Sequence, residues 1–361
     1  MTPDFDRLAD WAAQVRQSTP DSVLTGARPA ALYGYGFLGR FAHKDLQSRG
    51  VTLQCAYDGK PDLDGQIVDG LEIRAPAHLA TDEPAFVFIS ARHAVREVSA
   101  KLAAFGIPHV SVDAHYVAHD IDAYKQIHDD WLDDDRSRET LRAVMATMLT
   151  GDKAHVAAQF ERDQYFCLPQ FCGSEKEIYV DAGAYVGDSL ERFLWSQNGV
   201  FHRALCFEPG MRQFRALANR RRRLLSEWAL DEDQITVIPA ALGESDETGS
   251  AASSSGDMTS LALSNTGEHP FKILSLDAHL AGERVSLIKA DVEGMEMPLL
   301  KGAAETIRRH RPKLAICVYH YPSDIPVISR AIKSLVPDYR FALRHHSPQF
   351  METVLYAWVE T

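Results

Sequence analysis

The chain has 361 residues, 45% hydrophobic and 24% charged, with 38 Lys plus Arg against 50 Asp plus Glu, a formal charge of −12. This is ordinary globular composition, and the acid excess argues against a nucleic-acid partner, which would usually be met by a basic face. No apolar run approaches the roughly 20 residues of a membrane span. Five scattered cysteines, Cys55, Cys167, Cys172, Cys206 and Cys317, suit a reducing cytoplasm better than a disulfide framework.

Residues 1–27 read as an N-terminal helix. Met1 to Arg16 lacks a basic stretch followed by an apolar one, so no secretory leader is expected. From residue 28 to 116 strand and helix signals alternate. Ala30 to Tyr33, Val51 to Tyr57, Ala85 to Ser90 and His109 to Val112 are the predicted strands. Such alternation predicts parallel βαβ units and a small Rossmann-like domain. Gly34, Gly36 and Gly39 follow the first strand in GxGxxG spacing, and Asp58 lies 19 residues beyond Gly39, which fits a dinucleotide fingerprint. The domain is short for two mononucleotide halves, and no hydride-transfer constellation follows it. Docking or substrate recognition is an equal reading of this fold. A nicotinamide-dependent enzyme built on this turn is the competing functional hypothesis.

Residues 117–174 read as a helical linker. Its acidic cluster, Asp129, Asp130, Asp133, Asp134 and Asp135, is expected to be a solvated helix face. Leu141, Val144, Met145 and Met148 recur at helical spacing, so this helix should pack on a domain. Residues 175–361 hold the second alternation. Its predicted strands are Ile178 to Asp181, Ala204 to Glu208, Ile235 to Ile238, Val285 to Asp291 and Leu314 to Tyr319. Tyr339 to His345 and Val354 to Val359 read as a closing hairpin. The fold class is therefore α/β, with a mostly parallel sheet that ends antiparallel. Ser250 to Gly256 reads equally as a linker and as a loop over a site.

The chemistry-bearing residues cluster at strand ends. Asp181-Ala182-Gly183-Ala184-Tyr185-Val186-Gly187 joins a strand to a helix. Its glycines allow a tight turn and close ligand approach. An acid at its head would repel pyrophosphate but suits the ammonium and sulfonium of S-adenosylmethionine. Glu208 ends the next strand 21 residues after Gly187, where a carboxylate can accept both ribose hydroxyls; capping of the next helix is the blander account. Ala241 and Leu242 follow the third strand and could flank an adenine. Lys289, Asp291 and Glu293 close the fourth strand and His320 the fifth. Charged groups are costly to bury unpaired, so a site is expected there, with a Lys289–Asp291 ion pair as the sober alternative. A metal centre built from His320, His345, His346 and the acids has no diagnostic spacing, and no metal is expected. The run Arg220 to Arg223 reads as a helix end favoured by the dipole, or as an anion patch.

In order along the chain, Asp181 to Gly187, Phe207-Glu208-Pro209, Ala241-Leu242-Gly243, Leu276-Asp277, Ile288 to Glu296, Leu300 to Ala303, Val318-Tyr319-His320 and the tail from Leu343 to Tyr356 resemble the FkbM family of S-adenosylmethionine-dependent methyltransferases. The resemblance implies a class I methyltransferase fold and cofactor contacts at Asp181, Gly183, Gly187, Glu208 and Leu242. Tyr185, in the same loop, stands where many members carry His, which bears on the acceptor. Family members methylate hydroxyls of sugars, glycans or polyketide products, so a small-molecule or glycan acceptor is expected, with a homo-oligomer left open. His320 is then the first choice of general base, Asp291 or Glu293 the next, and Lys289 a stabiliser of negative charge on oxygen.

Overall fold

The computed structural model describes residues 2–251 and 269–360. The first sheet is built from β1 (Ala30–Tyr33), β2 (Leu53–Tyr57), β3 (Ile67–Val68), β4 (Leu71–Arg74), β5 (Val87–Ile89) and β6 (His109–Ser111), in the order β3-β4-β2-β1-β5-β6. All its pairings are parallel except the short β3–β4 pair. The second sheet uses β7 (Ile178–Ala182), β8 (Arg203–Phe207) and β9 (Ile235–Ile238). A small separate sheet follows from β10 (Ala240–Leu242), β11 (Glu247–Ala251) and β12 (His269–Leu274). The main sheet is completed by β13 (Leu287–Ala290), β14 (Lys313–Cys317), β15 (Arg340–His345) and β16 (Thr353–Trp358), in the order β15-β16-β14-β13-β7-β8-β9.

The chain runs outward from β7 to β8 and β9, then returns to β13 on the other side of β7. This reversal between β7 and β13 opens a crevice at the carboxyl ends of the strands, where open α/β sheets bind ligands. Both terminal strands, β15 and β16, are antiparallel to their neighbours. Side-chain alternation sends Val180, Ala182, Ile288, Ala290, Leu314 and Ile316 to one buried cluster and Tyr179, Leu287, Ala315 and Cys317 to the other. Strands buried on both faces read as near-continuous apolar runs, so their polar members, Asp181 and Lys289, stand out.

Three features depart from expectation. The β3–β4 pair and the β10-β12-β11 sheet had no strand signal strong enough to be predicted. Residues 117–174 are only partly helical, with helices Ile121–Gln126, Asp135–Thr150 and Ala154–Ala157, and they do not act as a tether. Leu141, Val144, Met145 and Met148 are buried in one cluster with Ile288, Leu314 and Phe341, so this segment covers a face of the second sheet. Of the Ser-rich stretch, Ser250 and Ala251 end β11 and the rest lies outside the described residues.

Candidate active site

A cleft of about 280 Å³ opens at the switch point. Tyr165, Gly183, Tyr185, Glu208, Leu242 and Asp291 are among its walls. Gly183 is required by close approach. Its φ is +75°, and a Cβ there would lie 1.9 Å from the Asp291 carbonyl oxygen. The loops after β7 and β13 therefore touch backbone to backbone. Glu208, 5% exposed, ties the same turn from the next strand. Its Oε2 accepts from Tyr185 N–H at 2.9 Å and its Oε1 from Gly210 N–H at 2.8 Å. Burial pushes its carboxyl up to about 7, against the pull of those two N–H bonds. Ala241 and Leu242, on β10, line the far side.

Asp181 and Lys289 sit lower than expected. Register places them side by side on β7 and β13, on one face of the sheet. Asp181 is fully buried and does not line the cleft. Its Oδ1 lies 3.1 Å from Lys289 Nζ, and its Oδ2 accepts from the Ser189 hydroxyl at 2.6 Å. Lys289 Nζ also donates to the carbonyls of Ala182 and Gly183 at 3.2 and 2.7 Å. Two carbonyls take two of its protons and the Asp181 carboxylate faces it as an ion pair, so Lys289 braces the strand ends. Burial opposes its charge, but Asp181 and Asp291 outweigh that and raise its pKa. The ion pair falls to Asp181 and not to Asp291. Gly187 is likewise set back: with φ +84°, it lets Leu217 approach to 2.9 Å from where a Cβ would be.

Asp291 faces the cleft. The hydroxyls of Tyr165 and Tyr319 donate to its Oδ2 and Oδ1 at 2.9 and 3.2 Å. Burial opposes its ionisation, yet Lys289, His320 and the two hydroxyls hold its pKa below the ordinary value. Glu293 also lines the cleft. Burial raises its carboxyl to about 7, His320 opposing and Asp291 and Glu296 adding to the rise. His320 lies behind both acids and off the cleft wall. Its Nε2 is 3.5 Å from Asp291 and 3.7 Å from Glu293, and its Nδ1 is 3.1 Å from Glu296. Burial works against its charge, but Glu296, Asp291 and Glu293 outweigh that and push it up to about 10. An imidazole so placed is favoured in its charged form, which argues against His320 as the general base.

His345 and His346 are elsewhere. They bond Thr353, Gln349, Glu161 and Tyr356 within and beside the closing hairpin. Three of the four arginines pair inside the chain, Arg220 and Arg223 with Glu191 and Arg221 with Glu232. In the acidic cluster, Asp134 caps its helix at Ser137 N–H and pairs with Arg344, and Asp133 pairs with Arg340. Several cleft residues escaped sequence reading. Tyr165 and Gln164 come from a segment read as helical, Asp188 and Ser189 from the helix after β7, and Glu352 from the hairpin turn. Glu352 and Tyr319 at least stood inside motifs that carried the family resemblance; Tyr165 had no signal.

Four lining residues, Tyr165, Tyr185, Glu293 and Glu352, hold left-handed backbone, with φ of 71°, 47°, 53° and 66°. Such conformations cost of order 1–3 kcal/mol each and gather where a site demands them. The lining also carries five carboxylates, Asp188, Glu208, Asp291, Glu293 and Glu352, against one ammonium, Lys289. That donor set suits a cationic ligand with hydroxyls to donate.

In the first sheet, Asp58 plays a part like that of Glu208. Its Oδ2 accepts from Tyr35 N–H at 2.6 Å and its Oδ1 from Lys60 N–H at 2.9 Å. A Cβ on Gly39 would lie 2.3 Å from the Gly34 carbonyl oxygen, whereas Gly36 faces open space. Phe37 of this turn stacks on Tyr321, ring centroids 5.1 Å apart.

Residues 181–346 match the methyltransferase FkbM domain. The fold is shared over 98% of both chains with the methyltransferase FkbM of Methylobacillus flagellatus KT, at 24% identity and a TM-score of 0.60. An rRNA methylase of Streptococcus thermophilus overlaps 53% of this chain and 92% of its own, at 14% identity and a TM-score of 0.33. Fibrillarin of Aeropyrum pernix with bound S-adenosyl-L-methionine overlaps 53% and 68%, at 16% identity and a TM-score of 0.32. No curated protein matches the chain. No helix among the described residues is long and apolar enough to cross a membrane. The domain match rests on the strands and loops that build this cleft, so residues 181–346 form a methyltransferase FkbM domain with the cleft at its centre.

Proposed function

We propose that the protein methylates a hydroxyl group of a sugar, glycan or related natural product. The observation that carries this reading is the acid-rich cleft at the strand tips, with Glu208 on one side and Asp291 and Glu293 on the other. S-adenosylmethionine, when bound, supplies a methyl group made electrophilic by a positively charged sulfur. Gly183, Tyr185, Asp188 and Ser189 would hold its amino-acid end. Each Glu208 oxygen spends one lone pair on a backbone N–H and keeps another for a ribose hydroxyl. Ala241 and Leu242 would face the adenine. Asp181 acts from beneath, by fixing Lys289 and Ser189.

An alcohol is a poor nucleophile until a base takes its proton. Glu293 is placed for that task. It reaches the cleft with a side chain 39% exposed, against 4% for His320. Its left-handed backbone, followed by Gly294 at φ +89°, turns the chain out of the strand direction. Asp291 is committed to the hydroxyls of Tyr165 and Tyr319 and orients the acceptor beside it. Positioning contributes the larger share of the rate.

Calorimetry with S-adenosylmethionine tests donor binding, and release of the demethylated donor across a panel of sugar, glycan and polyketide alcohols tests the acceptor. Glu293→Gln should lower kcat by about 10²–10⁴-fold and leave donor affinity within about twofold of the wild-type value. A flat titration with the donor alongside heat with NAD would move the reading to the N-terminal glycine turn. Undiminished turnover in Glu293→Gln would remove Glu293 as the base.

A further inference from the structure

We propose that Asp291, Glu296 and His320 form a site for a divalent cation at the acceptor end of the cleft. One ligand atom from each of these residues lies within 4.8 Å of the other two. A cation with bonds of about 2.1 Å holds its ligands roughly 3 Å apart when adjacent and roughly 4.2 Å apart when opposite. The three atoms therefore need to close by less than about 2 Å, a movement that side-chain rotation supplies.

His320 supplies the second, independent observation. It is 6% exposed, and neither ring nitrogen makes a hydrogen bond. Glu296 is 3.1 Å from Nδ1 but out of line, and Asp291 and Glu293 stand at 3.5 and 3.7 Å from Nε2. Buried polar atoms are nearly always hydrogen-bonded, so a buried imidazole ion-paired with three carboxylates but hydrogen-bonded to none of them calls for an explanation. A bound cation gives one, because metal-ligating imidazoles and their neighbouring carboxylates share this arrangement.

Charge points the same way. Asp291, Glu293 and Glu296 gather around one imidazole, with Asp324 and Glu352 adding to the field. The nearby cations are already engaged, Lys289 by Asp181 and Arg92 by Asp113. Buried negative charge needs compensation. Without a metal, a proton on the imidazole provides part of it; a divalent cation displaces that proton to solvent and provides more. Access exists from the cleft, since the Asp291 and Glu293 side chains are 21% and 39% exposed while His320 and Glu296 close the rear at 4% and 2%. One imidazole with carboxylates suits a first-row ion such as Mn²⁺. On the methyltransferase reading above, such an ion would hold the acceptor oxygen and ease loss of its proton.

The test uses the full chain, treated with chelator and then titrated with MnCl₂, following the loss of the free Mn²⁺ resonance signal. One ion per chain is expected. His320→Gln and Glu296→Gln should each weaken uptake at least tenfold, and Asp291→Asn decides should either buried variant not fold. No uptake by the wild-type chain at millimolar Mn²⁺, or variants within twofold of it, overturns the site. Uptake that survives His320→Gln and Glu296→Gln but not Glu352→Gln would place the ion on Asp291, Cys317 and Glu352, also against this assignment. Donor calorimetry keeps the two readings apart: absent donor heat with Mn²⁺ uptake intact would sink the methyl transfer and leave the metal site standing.

Discussion

Glu208 does two things with one carboxylate: it holds the loop after β7 and it borders the cleft. Burial lifts its pKa to about 7, so the folded protein binds this proton more readily than the unfolded chain does. On the proposed donor placement, ribose hydroxyls would donate to the ionised carboxylate. Donor affinity should therefore be full above pH 7 and fall as pH drops below it, approaching tenfold per unit. Glu208→Gln should weaken binding and flatten that profile, as calorimetry between pH 5.5 and 8.5 would show. Asp181 belongs to stability. Asp181→Asn would leave the Lys289 ammonium buried without its carboxylate, a loss of about 3–5 kcal/mol to be read from urea unfolding. Both acids were visible as strand-end residues of the right chemical type. Their division of labour was not, because it depends on register across β7 and β13 and on which residue the sheet leaves uncovered.

The closing hairpin is held by a pair of histidines. The Gln349 carbonyl can only accept, so His345 Nε2 carries the hydrogen and Nδ1 accepts from the Thr353 hydroxyl; both contacts are 2.8 Å. By the same logic His346 Nδ1 donates to the Glu161 carbonyl and Nε2 accepts from the Tyr356 hydroxyl. Burial lowers both pKa values to about 4. Above pH 6.5 both rings are neutral folded or unfolded, and their contribution is intact. As pH falls from 6.5 toward 4, the unfolded chain takes up protons that the folded chain refuses, and stability is lost. The loss is on the order of 3 kcal/mol for each histidine. His346→Gln should shrink the acid-side slope in chemical unfolding measured between pH 7 and 4. The sequence displayed these histidines beside His320 without showing that the hairpin carries them away from it.

At the scale of the molecule, the first sheet braces the second at the site. Arg92, just after β5, pairs with Asp113 at 2.6 Å and donates to the Tyr319 carbonyl at 2.6 Å, immediately before His320. Phe37 and Phe41 pack on Tyr321, the residue immediately after His320. Arg92→Ala would leave Asp113, 3% exposed, without its partner. A loss of about 3–5 kcal/mol is expected, seen as a lower urea midpoint. Donor affinity should fall with it if the Tyr319 strand end shifts, which calorimetry on the same variant would read.

By itself the sequence determined the α/β class, the parallel strands and their order along the chain. It also showed the family-like motifs at the strand ends, because apolar runs, glycine turns and strand-end acids are local signals. The tertiary structure alone decided which of those acids face the cleft. It also sank the Asp181–Lys289 pair beneath it, brought Tyr165 and Glu352 into its wall, and set His320 among three carboxylates. These outcomes depend on strand register and on loops meeting from distant parts of the chain. Burial and charge pairing, which settle what each group can do, exist only once those parts have met.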